Sequence, residues 1–446
     1  MGPFLLEALM TFTPKSTPKP LNQGQIEAAE GFFTFLFSDD LMFNLMGPAG
    51  HGKTFLMSHL IDEVMPRYLD TCALMGIKPV YTDVVMTATT NQAAEVLHQA
   101  TGRETETIQS FMNLTVKEDF VTGDSRLIPT KSWMVHRNKI IFVDEASTID
   151  SVLLEYLKTG TEDCKIVFVS DNCQLGPIRE TISPIYQLPI QKFELTQPMR
   201  NAGSADLMQL CNQLRNTVKT GNFYPIKLVK GVIDNLDNTE MEQAIHDLFV
   251  ANKTDSRIVA YSNPAVIDYN NYIRGERQLP MLICAGETLV SNSAIQTKSY
   301  RLSIQEEVNV LSVDPQLQMH TICAANNIEL EVQMLTLRTL SGVFSIAVPT
   351  NWDYCARLLK WFAKQKDWER YYFLKKTYPD LRPKDASTVH KIQGSTCDTV
   401  LIDAGNLSSC HNPLVAARLL YVAASRARSR VIFYGDLAEK YGGFIQ

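Results

Sequence analysis

No two cysteines in this chain are spaced as Cys-x-x-Cys: the nine are scattered singly from Cys72 to Cys410, and the eight histidines form no cluster. That pattern excludes a zinc module and a disulfide framework, and it points to a reducing cytoplasm, the host's if the protein is viral. A basic excess is also missing. The 42 Lys and Arg are outnumbered by 48 Asp and Glu, for a net charge of −6, so a polyanionic partner would have to meet a local basic surface on an acidic body. There is no apolar run long enough to cross a bilayer. The opening "MGPFLLEALM" is too short and has no basic flank, which argues against a signal peptide, an anchor or a membrane role. With "TFTPKSTPKP" behind it, the stretch 1–20 is expected to be a flexible lead-in. Internal repeats and long low-complexity tracts are absent as well.

What is present is an ordinary globular composition, 45% hydrophobic and 20% charged, over 446 residues, too many for one compact core. Seven short apolar runs recur between helical patterns: Leu41–Met46, Val80–Met86, Lys139–Val143, Lys165–Val169, Arg257–Ala260, Thr399–Ile402 and Arg430–Tyr434. Strands alternating with helices predict parallel sheets covered on both faces. The first four runs precede residue 170 and the last three follow residue 256, so the expectation is two α/β domains. Between them, Glu287–Pro349 alternates with a period of two ("EEVNVLSV", "IELEVQMLTL"), which predicts a small inserted antiparallel barrel. Asn351–Asp385 follows with Trp352, Trp361 and Trp368 and an excess of basic side chains.

The chemistry-bearing motifs start at "GPAGHGKT", Gly47–Thr54. Gly, four residues, Gly, Lys and Thr, at a strand-to-helix turn, form a loop that holds nucleotide phosphates on backbone amides while the lysine reaches the outer phosphates. Gly47, Pro48, Ala49, Gly50, Gly52, Lys53 and Thr54 are therefore candidate ATP contacts. His51 is a further candidate contact, or else a solvated loop tip. "IIFVDEAS" sets Asp144 and Glu145 at the end of a buried strand. Asp144 can hold Mg²⁺ with Thr54, and Glu145 can orient or deprotonate the attacking water. The next strand ends in "VSDNCQLGPI", where Gln174 is a candidate γ-phosphate sensor or a plain loop amide.

In order along the chain, these segments resemble a superfamily 1 helicase of the RecD-like, 5′-to-3′ B subclass. "LNQGQIEA" is similar to the Q motif, implying that Gln25 reads adenine. "TATTNQAAEVL" and "TIQSFM" resemble motifs Ia and Ib, implying DNA contacts from Thr90, Asn91 and Ser110. "LTQPMRN" and "LLYVAASRARSR" imply arginine fingers at Arg200 and Arg426. "ASTVHKIQGST" resembles motif V, implying DNA contacts at Thr388 and His390 and a nucleotide contact at Gly394. The chain departs from the family in Thr89 for the usual proline, Gln109 for histidine and Ser425 for threonine.

The resemblance implies two RecA-like parallel-sheet domains, 21–112 with 139–198 and 199–285 with 386–446. It also implies a pin hairpin at 113–138 and an insertion at 286–385, made of an SH3-like barrel (286–350) and a helical tower (351–385) that leans on the pin. "DFVTGDSRL" has the Gly-Asp turn of a hairpin, with Phe120 or Val121 as its stacking tip, unless the hairpin merely connects. In the tower, Tyr354, Leu358, Trp361 and Trp368 fall near one helical face, the pattern of a packed helical pair. The expected protein is a monomeric ATP- and Mg²⁺-dependent helicase acting on single-stranded and forked DNA in phage-type replication or recombination. A single-strand-binding protein is a further candidate partner. An RNA helicase of the Upf1-like branch and a P-loop kinase or signalling NTPase stay open as alternatives.

Overall fold

The computed structural model describes residues 20–177, 180–197, 205–252, 254–297 and 300–446. Nearly all of the expected N-terminal lead-in, residues 1–19, and the expected finger Arg200 lie outside the described residues.

Six parallel strands form the first sheet: β1 (Met42–Met46), β2 (Asp83–Ala88), β3 (Thr105–Thr107), β4 (Lys139–Asp144), β5 (Lys165–Ser170) and β6 (Gln191–Glu194), in the order β6-β1-β5-β4-β2-β3. The central strands are apolar on both sides because both faces are covered. Along β4, Ile140 and Phe142 enter a core with helix α1 (Gln23–Phe37) and helix α2 (Lys53–His59), while Ile141 and Val143 enter the opposite one. The run expected at Val80–Met86 forms its strand three residues later, because Tyr81 packs into the helical core instead of extending the ladder.

A second parallel sheet comprises β7 (Ile233–Leu236), β8 (Ser256–Ala260), β9 (Ala386–Thr388), β10 (Cys397–Asp403) and β11 (Ala427–Tyr434), in the order β7-β11-β10-β8-β9. Helices Ala205–Thr220 and Pro413–Ala424 cover one face through Leu210, Leu214, Leu419 and Leu420.

Strands Thr288–Ser291, Glu307–Val313, Gln318–Cys323, Ile328–Thr339, Gly342–Pro349 and Leu381–Pro383 lie between β8 and β9 in sequence and pair antiparallel. Among the described residues no pairing closes this sheet into the barrel that the alternation predicts. Part of the sheet is sealed by helices instead. Cys355, Leu358 and Phe362 of helix Trp352–Lys364 pack with Leu374 and Tyr378 against Ile322, Leu330 and Val332. The buried stripe is thus Cys355–Leu358–Phe362, rotated from the expected Tyr354–Leu358–Trp361 face, and Trp361 is exposed.

Strands Leu114–Glu118 and Ser125–Pro129 form an antiparallel hairpin against which the second tower helix, Trp368–Thr377, is seated. A Cβ on Gly123 would meet the Trp368 ring at 2.4 Å. Tyr372 Oη donates to Gly123 O at 2.8 Å, and Lys376 pairs with Glu118 at 2.7 Å.

Candidate nucleotide cleft and strand-binding face

β1, β5 and β4 are neighbours, so the loops at their C-terminal ends meet at one edge of the sheet, where ligands of parallel α/β sheets bind. After β1, Gly50 and Gly52 take left-handed backbone (φ +79° and +78°), which lets the phosphate loop fold back before α2 starts at Lys53. Lys53 Nζ donates to Gly47 O at 2.7 Å and Pro48 O at 3.2 Å, so its charge is held over its own loop. Thr54 follows in the first turn of α2.

After β4, burial pushes the Asp144 carboxyl up to about 7; the Glu145 charge adds to the rise and Lys53 opposes it. Its hydrogen bond comes from Glu145 N at 2.9 Å. A carboxylate this desolvated, beside a lysine, suits a divalent cation that displaces its proton. Glu145 has φ +51°, a left-handed conformation costing on the order of 1–3 kcal/mol for a residue with a side chain.

After β5, Gln174 is buried, and its Oε1 accepts from Gln393 Nε2 at 2.9 Å. Gln25, also buried, accepts from Asn22 N at 3.0 Å, while its Nε2 has no partner. An unpaired buried donor costs about 1–3 kcal/mol, and a purine nitrogen would satisfy it.

The opposite wall comes from the two helices that cover the second sheet. A cleft of about 310 Å³ is lined by Pro48, Ala49, Gly50 and His51 on one side and by Arg215, Tyr421 and Ser425 on the other. His51 is therefore half-buried in a cleft wall and not a solvated tip. Its Nδ1 lies 3.2 Å from Ala49 O, and burial lowers its pKa, with Lys53 and Arg215 adding to the effect.

Arg426 is buried within the second domain, where Nε donates to Val422 O at 3.2 Å and Nη2 to Ser425 Oγ at 3.1 Å. It stands behind the cleft wall, and reaching a γ-phosphate would require it to leave those partners. Two arginines that motif reasoning missed cross the cleft instead. Arg418 donates to Asn172 O at 2.8 Å and also to Gln174 O. Arg215 donates to Asp171 Oδ1 at 2.5 Å and Glu194 Oε1 at 2.9 Å, and Tyr421 Oη donates to Asp171 Oδ2 at 2.7 Å. The sequence does hold one signal for this pairing: Asp171 directly follows the apolar run "KIVFVS", a setting in which an acid needs a counter-ion.

Expected strand contacts are gathered only in part. Asn91 and Ser110 share a hollow with Arg301 of the insertion, and Arg301 Nη2 donates to Asn91 Oδ1 at 3.2 Å. Thr90 caps helix α3 (Asn91–Thr101) through Ala93 N at 3.1 Å. Thr388, another expected strand contact, is buried at the end of β9, where it pairs with Ala260. His390 is exposed. Gly394 (φ +88°) turns the chain between Gln393 and Ser395, whose Oγ accepts from Gln92 Nε2 at 2.8 Å. At the hairpin tip Val121 is 82% exposed and Phe120 54%, the latter edge-on to Tyr372 with ring centroids 5.4 Å apart.

Two parallel sheets facing each other across a phosphate loop, an acidic turn and a buried glutamine define a two-domain P-loop motor. The AAA domain family matches residues 20–224, and the UvrD-like helicase C-terminal domain family matches residues 385–434. The ATP-dependent DNA helicase dda of Enterobacteria phage T4 is 22% identical over 431 residues, covering 87% of this chain and 93% of that protein. A solved Pif1 helicase from Bacteroides, in complex with ADP-AlF3 and ssDNA, superposes with a TM-score of 0.51 at 12% identity, covering 97% of this chain and 95% of its own. The chain is thus similar to superfamily 1 helicases in both matched domains and in its relation to dda, and it shares its fold with the Pif1 structure.

Proposed function

We propose that the chain is an ATP-dependent DNA helicase that moves 5′ to 3′ on single-stranded DNA and parts the duplex ahead of it. The observation that carries this reading is the cleft, whose walls come from two separate α/β domains joined by Gln393–Gln174 and Arg418–Gln174 contacts. Closing and opening such a cleft changes the spacing of anything both domains grip. A kinase built on one α/β domain leaves the second sheet without a role. The relation to dda, described as a DNA helicase, favours DNA over the Upf1-like RNA alternative. Single-stranded and forked DNA are the proposed partners and a monomer the proposed working unit.

When bound, MgATP supplies the phosphoanhydride to be cleaved, with the cation held by Asp144 and Thr54. Lys53 leaves the carbonyls of its own loop for the outer phosphates. Glu145 takes the proton of the attacking water as the bond from the γ-phosphorus to the bridging oxygen breaks, and Gln174 reports the change to Gln393. Arg426, once released from Val422 and Ser425, and Arg200 are proposed as fingers for the transition-state charge. Gln25 takes the adenine. Thr90, Asn91, Ser110 and His390 are proposed to hold the strand, and Phe120 and Val121 to split it.

The test is ATP turnover with and without single-stranded DNA or RNA, followed by unwinding of duplexes tailed at either end. Turnover indifferent to any polynucleotide rejects the motor, and unwinding confined to 3′-tailed duplexes rejects the polarity. Phe120→Ala is expected to keep strand-stimulated turnover within about twofold and to slow unwinding roughly tenfold, the size of one lost stacking contact of about 1–3 kcal/mol. Equal loss of both activities would reject the pin role.

A further inference from the structure

Thr89 stands between the hydrolytic turn and the loop that meets the strand. It directly follows β2, whose last residue Ala88 pairs with Asp144, and directly precedes Thr90 and Asn91. The residue is buried, and it donates twice. Its backbone N–H reaches Asp144 O at 3.2 Å and its hydroxyl reaches Glu145 O at 3.1 Å. Thr148 adds a second hydroxyl, donating to Thr89 Oγ1 at 2.7 Å and lying 3.2 Å from Glu145 O. These donors converge on the main-chain carbonyls of the two acidic residues, one of which holds the left-handed conformation (φ +51°, ψ +35°). Such a conformation persists only where surrounding contacts hold it. A proline at this position would have neither an N–H nor a hydroxyl, so the pair of bonds depends on the residue being a threonine or serine.

We infer that Thr89 is a positioning residue that couples strand binding to hydrolysis: it ties the Thr90–Asn91 loop to the backbone of Glu145, so that a bound strand sets the Glu145 carboxylate against the attacking water. The coupling rests on the helicase reading. It needs no long relay, because one residue carries both links. A strand drawing on Asn91 moves Thr90 and Thr89 through the chain itself, and Thr89 Oγ1 passes the displacement to Glu145.

The experiment compares wild type with Thr89→Val, which keeps the shape and loses the hydroxyl, and Thr89→Ser, which keeps the hydroxyl. Turnover is measured without DNA and with saturating oligo-dT, alongside KM for ATP and strand affinity by fluorescence anisotropy. Thr89→Val is expected to keep KM and strand affinity within about twofold while its strand-saturated kcat falls about five- to tenfold, the effect of one buried hydrogen bond. Thr89→Ser is expected to restore it. Thr148→Val, which leaves the Thr89–Glu145 bond in place, is expected to lose about twofold and gives a second reading should Thr89→Val misfold. Full strand stimulation in Thr89→Val overturns the coupling. A loss that disappears at higher strand concentration also overturns it, because it makes Thr89 a strand contact. A wild-type rate indifferent to polynucleotide overturns the helicase reading and the coupling together, whereas a stimulated wild type matched by an equally stimulated Thr89→Val overturns the coupling alone.

Discussion

Lys53→Ala is expected to reduce ATP turnover to background, a loss of at least about 10²- to 10³-fold, with little change in the melting temperature. A loose phosphoryl-transfer transition state spreads negative charge over the γ-oxygens, and a fixed cation there is worth several kcal/mol in a site that excludes water. The fold does not depend on this side chain. Lys53 is half-buried and its two bonds go to carbonyls of its own loop, five and six residues away, so deletion leaves no distant group unpaired. Those same bonds show why the lysine is free to act: exchanging two neutral acceptors for phosphate oxygens strengthens both contacts. Lys53→Arg is expected to fail nearly as badly, because a planar fork does not replace a compact ammonium in a loop this tight. Steady-state phosphate release and a thermal melt check both statements, and turnover above about a tenth of wild type in Lys53→Ala would reject the role.

The parts of the molecule legible in the sequence are those whose cause is local. Lys139–Asp144 and Lys165–Ser170 read as strands because both their faces are buried, which leaves an unbroken apolar run. Thr105–Thr107, Gln191–Glu194 and Ile233–Leu236 escaped notice because each lies at a sheet edge, where alternate side chains meet solvent and the run dissolves into "TET", "QKFE" and "IDNL". What covers the inserted sheet was hidden for a related reason. Period-two alternation says that one face is covered, and not whether more sheet or the Cys355–Leu358–Phe362 helix covers it. Within the cleft, the phosphate loop, Asp144, Glu145 and Gln174 follow from short motifs at strand ends. Arg215 has no such motif: its partners Asp171 and Tyr421 lie 44 and 206 residues away, the first brought to it by the packing of two domains and the second by the pairing of two helices on the second sheet.

Arg215→Ala is therefore the substitution expected to damage the protein most, with about 3–5 kcal/mol of stability lost. Domains hold only about 5–15 kcal/mol in all, so the melting temperature should drop sharply. Arg215 and Asp171 are both buried, and removing the guanidinium strands a carboxylate with Tyr421 Oη and Cys173 N as its remaining neutral donors. Burial works against the Arg215 charge, but the Asp171 carboxylate beside it more than compensates, and the guanidinium pKa ends above its ordinary value. Position makes the pair more than a stabilising contact. Arg215 belongs to the helix that covers the second sheet, Asp171 and Glu194 end strands or loops of the first, and Arg215 also lines the nucleotide cleft. Its loss should accordingly loosen the joint on which cleft closure turns. The double substitution Arg215→Met with Asp171→Asn separates the two effects, since two neutral side chains of similar volume leave no uncompensated charge and should recover most of the stability. Turnover should stay at least about tenfold below wild type, because the buried ion pair no longer joins the domains and the charged contacts left at this joint are those of Arg418 and the more exposed Lys219–Glu194 pair. Chemical denaturation and strand-stimulated ATP turnover measure the two quantities. An Arg215→Ala protein within about 1 kcal/mol of wild type would reject the buried pair as a structural link, and a double variant with full turnover would reject it as the joint of the motor.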